Sequence, residues 1–268
     1  MSGLNWLRGL RRVCDLRSKS SRVVHVGNGL EILRGFPAGA SSVAGDVFLP
    51  GPAGHSPVVV ALHGCCGIRE DLTQYCLALA GEGCLVYNVS WRCLRTGDSI
   101  RQSVEDIRAA VTVAHDVWER SVTVAAWSDG ALPAVLAMLK DEPASDVFVG
   151  LSGFYGWSRT WPVPPEVVNK RTISYIGDHP ERSPALWSAA NPYENLDVPA
   201  RRFTLLVGER DLALGDSLRF QAALEGHGHH ANLEILEECD HSALVVPRLP
   251  AGHESVNRLT AIAWELDS

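Results

Sequence analysis

No stretch of this sequence approaches the roughly 20 apolar residues that a membrane-crossing helix requires, so integral membrane association is not expected. The start also lacks an uninterrupted apolar run followed by a small-residue cleavage site, which argues against a secretory leader. Basic clusters are scarce: 24 Lys and Arg stand against 31 Asp and Glu, for a formal charge of −7. A nucleic-acid partner is therefore not expected, because phosphate recognition needs clustered cations to displace counterions. The seven cysteines, Cys14, Cys65, Cys66, Cys76, Cys84, Cys93 and Cys239, are odd in number and lack CxxC spacing. They suit reduced thiols in a cytoplasmic protein better than a disulfide framework, and they give no support to structural zinc.

What is present is the usage of an ordinary globular protein, with 46% apolar and 21% charged residues in a chain of 268. That length buries a substantial core, and one α/β domain over residues 21–268 is the simplest fit. Residues 1–20 read as an N-terminal extension. Arg8, Arg11, Arg12, Arg17 and Lys19 surround Trp6, Leu7, Leu10, Val13 and Leu16 there, as in a short basic amphipathic helix, although terminal segments of this kind are commonly loosely docked.

Short β-branched runs alternate with helical patterns, the signature of a mostly parallel sheet flanked by helices. Eight runs read as strands: Arg22 to Val26, Val43 to Leu49, SPVVVAL, GCLVYNVS, SVTVAAW, DVFVGL, FTLLVG and NLEIL. The first two are expected to form a leading antiparallel pair. Helices are expected over Asp71 to Gly81, over Ser99 to Glu119, over GALPAVLAMLK and over HESVNRLTAIAWEL at the end. In the second of these, Ile100, Val104, Ile107, Val111, Ala114, Val117 and Trp118 recur at helical spacing. After the sixth strand the alternation stops. Residues 153–196 are rich in Pro and carry Phe154, Tyr155, Trp157, Trp161, Tyr175, Trp187 and Tyr193, so this interval reads as a cap-like aromatic insertion over the active-site edge of the sheet.

The strand VTVAAW runs directly into Ser128, Asp129 and Gly130 and then into an apolar helix. The string Ala126-Trp127-Ser128-Asp129-Gly130 resembles the G-x-S-x-G nucleophile elbow of the α/β-hydrolase superfamily. Ala126 replaces the first glycine and is still small enough for strand and helix to cross closely. Read without the resemblance, the string is a serine at a helix start.

A serine hydroxyl is a poor nucleophile at neutral pH, so it needs a base, and the base needs an acid that fixes its tautomer. The family order is Ser, acid, His. By resemblance, the acid is Asp211 in Gly208-Glu209-Arg210-Asp211, ahead of Glu209 and Asp216, and the base is His241 in Cys239-Asp240-His241-Ser242. His63-Gly64-Cys65-Cys66-Gly67, directly after SPVVVAL, resembles the family's oxyanion loop. The implied donors to a developing oxyanion are the amides of Asp129 and Cys65, with Cys66 as the alternative.

Among the other histidines, His227, His229 and His230 lie in a Gly-rich turn and read as solvent-exposed, and His253 reads as part of a helix start. Trp91, Trp127, Tyr155 and Trp157 are the expected substrate-binding residues, because they adjoin strand ends or the insertion. NVSWR and SPALWSAANPYENL look most like the dienelactone-hydrolase and small acyl-esterase branch, although serine at the elbow speaks against a dienelactone substrate. The resemblance thus implies a serine hydrolase acting on a small-molecule acyl substrate, with no cofactor and no metal. Thioesters, lactones or peptide bonds are rival substrates for the same site, and a noncatalytic binding protein on the same fold is the rival from another class.

Overall fold

The computed structural model describes residues 21–27, 29–37, 44–51, 55–64, 67–94, 97–140, 145, 147–156 and 172–267. The terminal extension 1–20, Cys65, Cys66, Trp157 and Trp161 lie outside the described residues. Among the described residues nine strands form one sheet: β1 (Arg22–Val26), β2 (Leu30–Pro37), β3 (Ala44–Leu49), β4 (Val58–Leu62), β5 (Leu85–Val89), β6 (Val122–Trp127), β7 (Val147–Leu151), β8 (Arg202–Gly208) and β9 (His230–Leu236). Their order is β1-β2-β3-β5-β4-β6-β7-β8-β9. β1, β2 and β3 pair antiparallel, as do β3 and β5, and every later pair is parallel.

The central strands are apolar on both sides because both sides are covered. In β4, Val58, Val60 and Leu62 face one cluster and Val59 and Ala61 the other. The first cluster packs under α2 (Ile100–Trp118) and α3 (Ala131–Met138), and the second under α1 (Thr73–Gly81) and α6 (Pro250–Leu266). Each fully buried Val, Leu, Ile or Phe in these layers contributes about 1.5–3 kcal/mol of transfer free energy.

α2 begins at a capping box in which the Gln102 amide donates to Ser99 Oγ and the Ser99 amide donates to Gln102 Oε1. It ends where Glu119 turns left-handed at φ 52°. α3 is buried along its whole length, which explains why its sequence shows no polar face. Among the described residues no helix is long and apolar enough to cross a membrane.

Three expectations change. The leading strands do not pair with each other, because β2 lies between β1 and β3. Its signal is broken by Gly35, at φ +66°, and by Pro37 at its end, and its register against β3 shifts between Leu33 and Phe36. A further helix, α5 (Leu214–Gly226), connects β8 to β9. Within 153–196, the described parts include a helical stretch at 172–176, α4 (Pro184–Ala189) and a 3-10 turn at Pro192–Glu194.

The antiparallel edge is locked by Asp46 on β3. Its buried carboxylate accepts from Arg34 Nη1, from the Gly35 amide at 3.1 Å and from Arg69 Nε at 3.1 Å, while Arg69 Nη1 also donates to Ser90 Oγ at 2.7 Å. From β4 the chain crosses to β5 on one side and then returns past β4 to β6 on the other. Such a reversal leaves a crevice at the carboxyl ends of the strands, where ligands bind in open α/β sheets.

Candidate active site

Ser128 stands at that crevice. β6 ends at Trp127, a 3-10 turn covers Ser128–Gly130, and α3 starts at Ala131. The turn is tight enough to force Ser128 to φ +57°, a left-handed conformation that non-glycine residues adopt at a cost. Two contacts hold it there. The Phe154 amide donates to the Ser128 carbonyl at 3.2 Å, and the β4 loop approaches so closely that a Cβ on Gly64 would lie 3.1 Å from Ser128 Cβ. A Cβ on Gly130 would lie 2.4 Å from the His63 carbonyl oxygen, so the glycine two residues after the serine is a steric requirement. Ala126 is buried between Leu62 and Gly150 of the neighbouring strands.

His241 reaches Ser128 from the loop after β9. Its Nε2 lies 2.9 Å from Ser128 Oγ and its Nδ1 lies 3.0 Å from Asp211 Oδ1. A carboxylate only accepts, so Nδ1 carries the hydrogen and Nε2 presents a lone pair to the serine. The imidazole is 24% exposed and the Asp211 side chain 0%, so the ring is partly open to solvent while the carboxylate that holds it is sealed. Burial by itself would raise the Asp211 carboxyl. The His241 ring, the Ala213 amide at 2.8 Å and the Ser152 hydroxyl outweigh burial and hold it below the ordinary carboxylate value.

The rings around the imidazole fix its plane. Phe154 stacks on His241 with centroids 5.4 Å apart, and Trp127 lies at 6.0 Å and donates Nε1 to the His241 carbonyl at 3.4 Å. Phe154 was visible in the sequence only as one aromatic among several, and nothing local marked it as a partner of His241.

The remaining expected residues divide. Asp129 is the second residue of the 3-10 turn, whose first amides have no acceptor within the turn. Burial beside the serine raises its carboxyl, although the His241 charge opposes this. His63 Nδ1 donates to the Gly64 carbonyl at 2.8 Å, and burial lowers its pKa, which keeps the imidazole neutral. Trp91 is buried and stacks on His63 with centroids 5.2 Å apart, so it supports the β4 loop from beneath. Tyr155 is a correction: it is fully buried and stacks on Phe220 at 4.4 Å, which makes it a core residue and not an open pocket wall.

The competing carboxylates lie elsewhere. Glu209 accepts from the Glu238 amide at 3.2 Å. Asp216 accepts from the Tyr155 amide at 2.7 Å and from the Tyr193 hydroxyl at 2.9 Å, which ties both ends of the insertion to α5. His229 is also a correction, because it is buried: the Arg201 amide donates to its Nδ1 at 3.1 Å, and its Nε2 donates to the Leu196 carbonyl at 2.9 Å. Among the described residues no three His, Cys, Asp or Glu side chains gather as a metal site would require.

No protein-family model matches this sequence, and no curated protein matches it. Solved structures do. Esterase B from Lactobacillus rhamnosis superposes with a TM-score of 0.75 at 15% identity, covering 98% of this chain and 93% of that one.

The chain has the α/β-hydrolase fold.

An esterase/lipase from an uncultured bacterium is similar over 97% of this chain and 91% of its own, with a TM-score of 0.73 at 15% identity. Esterase 2 from Thermogutta terrifontis, in its apo form, is similar over 90% and 96%, with a TM-score of 0.69 at 14% identity. On this hydrolase fold Ser128, Asp211 and His241 stand at the ends of β6 and β8 and after β9, all on one edge of the sheet.

Proposed function

We propose that the protein is a serine hydrolase that cleaves a small carboxylic ester through an acyl-enzyme intermediate. The observation that carries this reading is the imidazole of His241 held between Ser128 Oγ and the buried Asp211 carboxylate. The fold neighbours support the ester class: Esterase B from Lactobacillus rhamnosis has been captured inhibited by a tributyrin phosphonate, and esterase 2 from Thermogutta terrifontis phosphonylated by sarin. A serine at the elbow favours an ester over a dienelactone.

In the first step Ser128 Oγ attacks the carbonyl carbon while its proton passes to His241 Nε2. The electron pair of the carbonyl bond moves onto oxygen, where the amides of Asp129 and Cys65, or of Cys66, stabilise the charge. The tetrahedral species collapses, the bond to the alcohol oxygen breaks, and His241 gives its proton to that oxygen. Water then repeats the sequence, losing a proton to His241 and releasing the acid from Ser128. Asp211 keeps its charge throughout and holds the imidazolium in place. These steps draw only on the protein and water.

The indole of Trp127, beside His241, lines the acyl or alcohol pocket, Trp157 is a further candidate for substrate contact, and the insertion at 153–196 acts as a cap on the single domain 21–268. Trp91 contributes from beneath the β4 loop. Buried cysteines at Cys76, Cys84 and Cys239, with no disulfide between them, support a reducing, cytoplasmic setting.

The test is the initial rate on chromogenic esters of increasing acyl length, measured alongside thioester, lactone and peptide substrates. The expected result is turnover of short-chain esters that Ser128→Ala abolishes while the folded state persists. Unchanged turnover in that variant, or the absence of turnover on every ester, contradicts the reading.

A further inference from the structure

Among the described residues two serines hold left-handed backbones, and both sit at the carboxyl ends of adjacent strands. Ser128 follows β6 at φ +57°, and Ser152 follows β7 at φ +51°. The elbow explains the first. The second lies one residue before Gly153, is fully buried and has its amide locked to the Leu206 carbonyl at 2.7 Å. A glycine would adopt this conformation without the penalty of roughly 1–2 kcal/mol that a side chain incurs, so a hydroxyl at such a place calls for a use.

Asp211 supplies one. Its Oδ1 is fully occupied, accepting from His241 Nδ1 at 3.0 Å and from the Ala213 amide at 2.8 Å. Its Oδ2 is buried with no closed hydrogen bond, and so is Ser152 Oγ. The hydroxyl is nevertheless close enough to help keep the Asp211 carboxyl ionised. Donor and acceptor thus stand together at the ends of the paired strands β7 and β8, short of a closed bond in this geometry, and a rotation about the serine χ1 is the motion available to close it.

We propose that Ser152 is a positioning residue for the Ser128 reaction, its hydroxyl donating to Asp211 Oδ2 as His241 becomes imidazolium. The inference rests on the hydrolase reading above. When the Ser128 proton reaches His241 Nε2, the imidazolium faces a carboxylate that could draw away the Nδ1 proton. A donor on Oδ2 lowers the basicity of that carboxylate, so the proton stays on the ring and the ring keeps its orientation. No bond other than the hydrogen bond is made or broken.

A double-mutant cycle on a chromogenic short-chain ester decides it, with Ser152→Ala, Asp211→Asn and the two combined. Ser152→Ala is expected to lower kcat about 10-fold, the scale of one hydrogen bond to a charged group, with KM and thermal midpoint little changed. In the Asp211→Asn background the same change is expected to have no further effect. Phosphonylation rates replace turnover where turnover is too slow to follow. Ser152→Gly, which removes the hydroxyl and relaxes the backbone, should reproduce the loss if Ser152→Ala folds poorly. Wild-type kcat in either variant, or an equal loss with and without the Asp211 carboxylate, overturns the inference. Ser128→Ala separates the two levels of failure: an active Ser128→Ala overturns the hydrolase reading together with this one, whereas an inactive Ser128→Ala with a fully active Ser152→Ala overturns this one alone.

Discussion

The antiparallel edge and the parallel carboxyl edge of the sheet each bury an aspartate, and they treat it differently. Asp46 is enclosed by two guanidinium groups and a backbone amide, with both oxygens accepting. Asp211 has one oxygen crowded and the other without a closed bond, and the group it holds is an imidazole with its far nitrogen directed at a partly exposed serine. A buried charge satisfied on all sides locks structure. One satisfied through a titratable ring, at an edge where the backbone is strained, has the arrangement that the proposed proton transfer requires.

Substitutions at the two edges should therefore separate activity from stability. On the proposed reading the largest effect is expected from Ser128→Ala, a loss of about six orders of magnitude in kcat for ester hydrolysis, the scale seen when a serine hydrolase loses its nucleophile. Asp211→Asn should follow, with about a 10,000-fold fall in kcat and a fold intact by circular dichroism, because the amide favours the wrong tautomer. Asp46→Ala should reverse the pattern. It leaves two guanidiniums without their carboxylate and is expected to cost about 3 kcal/mol in denaturant unfolding, while kcat changes only a few-fold. A large loss of kcat with no loss of stability at Asp46 would erase the contrast.

A smaller, pH-dependent effect sharpens it. The Asp211 carboxyl titrates below its ordinary value in the folded state. Its contribution to stability is therefore present above the unfolded-state value and is lost as pH falls through the folded one. Asp211→Asn should remove that portion of the acid transition in a thermal-midpoint series, and an unchanged acid limb would count against it. Smallest of all, Trp127→Phe removes the donor to the His241 carbonyl and trims the ring beside the imidazole, and should lower kcat about two-fold.

The parts of this molecule legible in sequence are those whose burial matches a simple period. VVVAL and VTVAAW announce strands covered on both faces, and α2 announces itself through its apolar stripe. β2 escapes because Gly35 and Pro37 interrupt its alternation. α5 escapes because its buried face is half polar: Asp216, Ser217, Phe220 and Leu224 point inward, and the first of these serves the insertion and not the core. Ser128, Asp211 and His241 could be picked out because each follows a strand in the order the fold requires. Ser152 could not, because nothing in a sequence marks a serine as left-handed or places it beside a distant carboxylate. His229 misled for the opposite reason, since a glycine-rich string suggested exposure while two main-chain groups bind both ring nitrogens.

The most direct test identifies, by peptide mass spectrometry, the residue that a fluorophosphonate modifies in the folded protein. The account expects a single adduct on Ser128 that disappears when His241 is replaced by alanine. An adduct on another residue, or none under conditions that phosphonylate a known serine esterase, would contradict it.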